Sequence, residues 1–321
     1  MPSVEIALAT CNGAQYLADL LISLFRQTWP DFRLIVADDN SEDETVSVVA
    51  QFHKLYPDRV RVVGFSDRSG GATANFARLV DHLSADYILF ADQDDVWLPN
   101  KIQNSLNRIQ LAEARYGATT PILVHTDLAV VDAKMNPLCP SFWRSMTIDP
   151  RRKALREILL ECNSVGCTMM ANRALYELAR PIPPTAMLHD HWFALVASAF
   201  GVFEYMPEPT VLYRRHEGNA SVQRFNTLVS ALQRGLEILT GRTTERDRGT
   251  IFRLASQAAV FLDRYGSRLG PEQRRIVQIV ADLPAMTGTA RCSNVLRNRI
   301  LRTGFLRNLV VLYLLLGAIE G

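Results

Sequence analysis

An α/β fold with a mostly parallel central sheet flanked by helices is predicted for this chain by three observations. Short apolar runs alternate with helical periodicity from the start to about residue 128. These runs are apolar on both faces, as strands covered by helices on either side must be. The residues that follow them are polar, acidic or glycine, and they collect at the carboxyl ends of the strands, where such sheets bind ligands.

Taken in order, the strand-like runs are Val4–Ala9, Leu34–Ala37, Val60–Phe65, Tyr87–Ala91 and Ile122–His125, with helical patterns between them at about 14–27, 42–55, 72–83 and 99–115. The strand ends carry Thr10-Cys11-Asn12-Gly13, Asp38-Asp39-Asn40-Ser41, Ser69-Gly70-Gly71 and Asp92-Gln93-Asp94-Asp95. Further on, Asn163–Met170 reads as a strand, His189–Phe200 as a helix and Thr210–Tyr213 as a short strand that leads into Arg214-Arg215-His216. Beyond about residue 222 helical patterns fall near 224–240, 245–266, 271–283 and 291–318.

Composition narrows the function. The 321 residues are 48% hydrophobic, enough for a sizeable core, and 35 Lys+Arg against 33 Asp+Glu leave a net charge of +2, unlike a nucleic-acid binder. Five scattered cysteines without CxxC spacing argue against a disulfide framework or zinc site and fit a reducing cytoplasm. The first residues, Met-Pro-Ser-Val-Glu, show no signal-peptide pattern. Neither GxGxxG nor GxxxxGK[ST] is present, so phosphate binding by a glycine cradle is disfavoured.

The acidic cluster then needs an explanation. Asp92, Asp94 and Asp95 end the Tyr87–Ala91 run, and three like charges at one strand terminus repel one another. A hard divalent cation, Mg²⁺ or Mn²⁺, would offset them and grip a diphosphate. A solvated acidic turn before the helix near Pro99 explains the same residues without a metal.

Four motifs in a fixed order separate these readings: Ala9-Thr10-Cys11-Asn12-Gly13, Val36–Asp43, Asp92–Trp97 and His189-Asp190-His191-Trp192, followed by Tyr213–His216 with Asn219. Over about residues 3–220 the pattern resembles the inverting family 2 nucleotide-sugar glycosyltransferases of GT-A fold, in particular their rhamnosyltransferase-like branch. The resemblance implies a catalytic domain over 1–221, with a nucleotide-sugar-binding half (1–128) and an acceptor half (129–221), and a helical C-terminal region over 222–321.

It further implies roles. Asp94 is the expected metal ligand, with His216 as a further ligand or, alternatively, a surface histidine. Asp92 would orient the donor, and Asp95 would serve the turn and helix start. Asp38, Asp39, Thr10, Asn12 and Asn75 would line the nucleotide pocket, although Asp38–Asp43 also reads as a helix cap. Arg214 and Arg215 could neutralise phosphate. Asp190 is the expected general base, with His189 either assisting proton transfer or positioning the acceptor. Trp97 and Trp192 read as sugar platforms or as core. His125–Asp127 and Asn163–Thr168 would shape the acceptor side.

The implied reaction moves a sugar, rhamnose from dTDP-rhamnose on the branch resemblance, from a dTDP- or UDP-sugar to a surface polysaccharide or lipid-linked glycan, with inversion. A catalytically silent nucleotide-sugar-binding or membrane-docked scaffold and a nucleotidyltransferase are the alternatives.

The C-terminal stretch carries Arg291, Arg297, Arg299, Arg302 and Arg307 before the apolar run Leu309–Ile319. That run is too short to span a bilayer. It suits an interfacial anchor on the inner face of the cell membrane, or else a helix packed on the protein body or a dimer contact.

Overall fold

The computed structural model describes residues 1–219 and 244–317, the side chains of 244–248 excepted. The helix expected over 224–240 lies outside the described residues. The contacts divide the chain into two units. One comprises residues 1–142, 164–182 and 188–219; the other comprises 143–163, 183–187 and 244–317. The helical unit therefore also draws in two segments that the sequence pattern assigns to the acceptor half.

In the first unit, β1 (Val4–Thr10), β2 (Arg33–Asp38), β3 (Val60–Val63) and β4 (Tyr87–Asp92) lie parallel in the order β3-β2-β1-β4. The crossovers are α1 (Ala14–Phe25), α2 (Thr45–Leu55) and α3 (Ala72–Val80). Both faces are covered, so Ile6, Leu8, Ile88, Leu89 and Phe90 are fully buried. Each such side chain contributes about 1.5–3 kcal/mol. The register brings Thr10 opposite Asp38 and Ala9 opposite Asp92. The polar residues of three strand ends are thereby brought to one sheet edge, as the sequence pattern predicts.

The sheet continues through shorter elements. After the acidic turn come β5 (Val96–Trp97), α4 (Lys101–Tyr116), β6 (Ile122–Asp132), β7 (Pro137–Cys139), α5 (Phe142–Met146), α6 (Leu155–Ile158), β8 (Met170–Asn172), α7 (Arg173–Ala179), α8 (His189–Phe200) and β9 (Val202–Arg215). The full order is β3-β2-β1-β4-β8-β6-β9-β5, with β7 on β6. β8 is antiparallel to both neighbours, so the sheet is parallel in its first half and mixed in its second.

Two elements differ from expectation. Asn163–Met170 is not a strand: Gly166–Thr168 is a 3₁₀ turn, closed by Thr168 N–H to Val165 O at 2.8 Å, and β8 begins only at Met170. Thr210–Tyr213 belongs to the 14-residue strand β9, which pairs with the 11-residue β6. That ladder slips register at Thr126/Asp127, opposite Met206 and Pro209; neither Pro207 nor Pro209 has an N–H to donate.

The second unit is helical among the described residues: α6 and most of α5, with α9 (Thr244–Tyr265), α10 (Pro271–Ala281), α11 (Gly288–Arg297) and α12 (Phe305–Leu316). The single helix expected over 291–318 is broken in two. Arg299 adopts φ +53°, Ile300 N–H bonds Val295 O at 3.0 Å, and Arg299 N–H bonds Leu296 O at 3.1 Å. This is a Schellman cap, sealed by the buried pair Val295 and Ile300. No described helix is long and apolar enough to cross a membrane.

Candidate active site

The acidic turn gives each of its carboxylates a different environment. The Asp94 carboxylate is met by the His216 ring, whose Nε2 lies 2.9 Å from Oδ2, and by Asn219 Nδ2, which donates to the same oxygen at 2.9 Å. His216 is 122 residues away along the chain. A carboxylate oxygen beside an imidazole nitrogen is a donor set that a divalent cation such as Mn²⁺ accepts, although imidazole suits it less well than oxygen does.

Asp92 is half-buried at the end of β4, and its pKa is pushed up to about 7 by loss of hydration, then by Asp94 and Asp190. The nearby Asp190 charge contributes to that rise, so the start of α8 lies close to the acidic turn. Asp95 departs from its expected role at the helix start, because α4 begins only at Lys101. Its carboxyl is fully buried, accepts the Arg214 N–H at 3.2 Å and is driven towards its protonated form by burial and by Asp94 and Asp92.

Donor atoms of Asp92, Asp95 and the buried Cys167 all lie within 4.8 Å of one another. Burial and the neighbouring acids also hold the Cys167 thiol protonated. The Lys101 ammonium is buried, 4.5 Å from the Trp97 ring centre, and burial lowers its pKa to about 8. A proton-retaining thiol with an amine nearby suits a hard cation poorly, which favours the Asp94–His216 side of the turn.

Arg214 does not present its fork to a phosphate. It is buried and donates from Nε to Asp94 O (2.9 Å), from Nη1 to Ala133 O (3.1 Å) and from Nη2 to Asp19 (2.7 Å). Its guanidinium lies 4.6 Å from the Tyr16 ring centre, and that ring packs 4.7 Å from His216. Arg214 is therefore a brace for the Asp94–His216 pair.

The residues expected in the nucleotide pocket gather at the ends of β1 and β2. Thr10 Oγ1 donates to Asp38 Oδ1 at 2.7 Å, and Ser41 bonds both Asp38 oxygens, so Asp38 braces the loop. Asp39 takes the Ser69 N–H on Oδ1, which folds the loop containing Gly70 and Gly71 against the pocket. Both glycines have positive φ (90° and 136°), which side chains rarely tolerate. Asn12, itself at φ +48°, accepts the Glu42 N–H at 2.7 Å. Asn75 is buried and donates to Ala37 O at 3.0 Å and Thr10 O at 3.4 Å, tying β1 to β2.

Asp190 opens α8, where the helix dipole favours a carboxylate. Its Oδ1 accepts the His191 N–H at 2.6 Å and its Oδ2 the Gly166 N–H at 3.0 Å. Burial still raises its pKa to about 6, which poises it as a base near neutral pH. His189 is wedged between Phe76 (4.1 Å) and Phe90 (4.8 Å), and neither ring nitrogen has a hydrogen-bond partner among the described residues. Burial depresses its pKa to about 3, so it is neutral at working pH and packs the helix start.

Trp97 and Trp192 are core residues, the latter donating to Ala179 O at 2.8 Å. His125, Thr126 and Asp127 are buried within β6. Sequence reasoning assigned no individual role to Gly166, Asn219 or Gln93, although each lies in a stretch it singled out: Asn163–Thr168, the trailing histidine motif and the acidic turn.

A half-parallel α/β sheet with acids at the ends of β2 and β4, and a carboxylate at the start of α8, has the form of a GT-A fold. The chain belongs to glycosyl transferase family 2, whose profile matches residues 5–179, more than half of its length; it is a glycosyltransferase. A dTDP-rhamnosyl transferase, RfbG, of Shigella flexneri is 27% identical over 223 residues, covering 66% of this chain and 72% of the relative. The putative teichuronic acid biosynthesis glycosyltransferase TuaG of Bacillus subtilis is 24% identical over 202 residues, 63% and 75% of the two chains. Among solved structures, S. aureus TarS 1-349 in complex with UDP-GlcNAc superposes with a TM-score of 0.56 at 16% identity, over 90% of this chain and 82% of that one. The mannosyltransferase PcManGT of Pyrobaculum calidifontis, in complex with GDP-Man and Mn2+, gives 0.52 at 17% identity, over 97% and 78%. These likenesses establish the fold.

Proposed function

We propose that the protein transfers a sugar from a nucleoside diphosphate donor to a hydroxyl of a surface glycan or lipid-linked glycan, inverting the anomeric carbon. One observation carries the reading: Asp190 Oδ2 is held by the Gly166 N–H at 3.0 Å, and the thiol of the adjoining Cys167 lies within 4.8 Å of carboxylate oxygens of Asp92 and Asp95 in the acidic turn. A base and a diphosphate-binding turn thus share one sheet edge. Asp190 takes the acceptor hydroxyl proton as the acceptor oxygen bonds the anomeric carbon. The bond from that carbon to the diphosphate oxygen breaks, and the nucleoside diphosphate leaves from the opposite face. Asp94 and His216 would hold Mn²⁺ or Mg²⁺, which when bound neutralises charge developing on the leaving diphosphate. Asp39, Thr10 and Asn12 face the nucleoside, while Asp38 and Asn75 hold that pocket in shape.

Among donors, dTDP-rhamnose is favoured by the resemblance to RfbG. A thermal-shift panel of dTDP-, UDP- and GDP-sugars with and without Mn²⁺ tests this. Ligand at a hundredfold excess over Kd stabilises the folded state by about 2.7 kcal/mol, so the donor raises Tm. A larger rise with UDP- or GDP-sugars would reassign the donor.

The tail adds a membrane reading. Arg291 is buried and bonds the carbonyls of Leu283, Pro284, Leu315 and Gly317, while Arg302 bonds Leu160 O and Arg307 pairs with Glu161. These three arginines serve the helical unit. Arg297 and Arg299 remain exposed, however, and α12 buries Val311, Leu314 and Leu315 while exposing Phe305, Leu306, Leu309, Tyr313 and Leu316. An apolar stripe near exposed arginines suits an anionic leaflet. The double substitution Phe305→Ser/Leu306→Ser is expected to weaken sedimentation with anionic vesicles and spare Tm. Unchanged co-sedimentation would remove the membrane from the reading.

A further inference from the structure

We infer that Gln93, the middle residue of the Asp92-Gln93-Asp94 turn, is a positioning residue that latches the donor loop to the metal turn. The inference rests on the donor-site reading proposed above. β1 and β4 pair through their backbones as far as Ala9 opposite Asp92. Beyond that point a side chain continues the ladder. The Cys11 N–H donates to Gln93 Oε1 at 2.8 Å, and Gln93 Nε2 donates to Cys11 O at 2.9 Å, across 82 residues of sequence. A carboxamide copies the donor and acceptor of a peptide unit, so Gln93 pairs with Cys11 as another strand would.

The residues on either side of this pair are those the reaction needs. Gln93 lies between Asp92 and Asp94, and Cys11 between Thr10 and Asn12. The latch therefore sets the spacing between the nucleoside pocket and the diphosphate-binding carboxylate. Glutamate could accept the Cys11 N–H but could not donate to its carbonyl, and asparagine is one methylene shorter.

Gly13 provides the space for this amide. A Cβ on Gly13 would lie 2.2 Å from Gln93 Oε1 and 2.3 Å from Cδ. The Gly13 backbone, at φ −110°, suits any residue, and its N–H is held by Thr45 Oγ1 at 2.8 Å. The three atoms nearest to such a Cβ all belong to the end of one flexible side chain, that of Gln93. Gly13→Ala is thus a second, independent way to open the latch.

The test is a double-mutant cycle of Gly13→Ala and Gln93→Ala, reading calorimetric binding of dTDP and UDP with Mn²⁺, donor KM and kcat, and Tm. Each single variant is expected to weaken nucleotide binding and raise donor KM about tenfold, the size of two neutral hydrogen bonds. kcat should hold, Tm should fall by no more than a few degrees because the latch also ties β1 to β4, and the double variant should match either single one, because both open the same latch. Effects that multiply, or wild-type affinity in either single variant, overturn the latch. A wild-type protein that binds neither of these nucleotides nor GDP overturns the donor reading and the latch with it, a result distinct from variants that bind as wild type does.

Discussion

Replacing Asp190 with Asn is expected to lower kcat by about 10²–10⁴-fold, the usual contribution of a positioned general base. Donor affinity should hold, because Asp190 lies at the start of α8 and the nucleoside residues lie at the ends of β1 and β2. The pH profile supplies a second readout. A base works only when deprotonated, and burial places the Asp190 pKa at about 6. Turnover in the wild type should therefore be flat above neutrality and fall roughly tenfold per unit below about pH 6. The Asn variant should lack that acid limb. Near-normal turnover in the variant would dismiss Asp190 as the base. Loss of donor binding would show that it shapes the pocket instead.

The same raised pKa has a consequence for stability of the opposite sign. The folded protein holds the Asp190 proton more tightly than the unfolded chain does, so this group's contribution to stability is greatest below about pH 4 and declines as pH rises to about 6. The active ionised form is the less stable one, so activity at this position costs stability.

Asp94→Ala is the second large effect. It removes the carboxylate that His216 and Asn219 converge on. Loss of an outer-shell partner alone typically costs 10–100-fold in metal affinity, so loss of the ligand itself should cost at least about 100-fold. Titration of Mn²⁺ in the presence of nucleoside diphosphate should show this, with Tm in the absence of metal little changed. His216→Ala should be milder, since Asn219 and the Arg214 brace still fix the turn. Unchanged Mn²⁺-dependent affinity in Asp94→Ala would move the metal to the Asp92–Asp95–Cys167 side of the turn.

Much of the donor half is legible in the sequence. Runs such as Tyr87–Ala91 are apolar at every position, which only a strand covered on both faces can use, and parallel pairing aligns their ends by geometry. Asp92 and Asp38 thus reach one edge because Ala9 faces Asp92 and Thr10 faces Asp38. Asp190 is legible as an acid opening a helix. The tail is harder to read. Its arginines and leucines suggest one basic, apolar helix, but nothing local announces that Ile300 folds back on Val295 and ends it.

What the sequence determined alone was the order of strands and helices from β1 to β4, the edge where their polar ends gather, and which acids stand there. Those follow from periodicity and from the chemistry of strand ends, both of which are local. Only the tertiary structure decided how the acids divide their work. It seated Asp94 against His216, buried Asp95 beside Cys167, committed every arm of the Arg214 fork to protein acceptors and set Gln93 against Cys11. Those partners are brought together from distant parts of the chain, and a carboxylate's role depends on the water and charge around it, which no stretch of sequence contains.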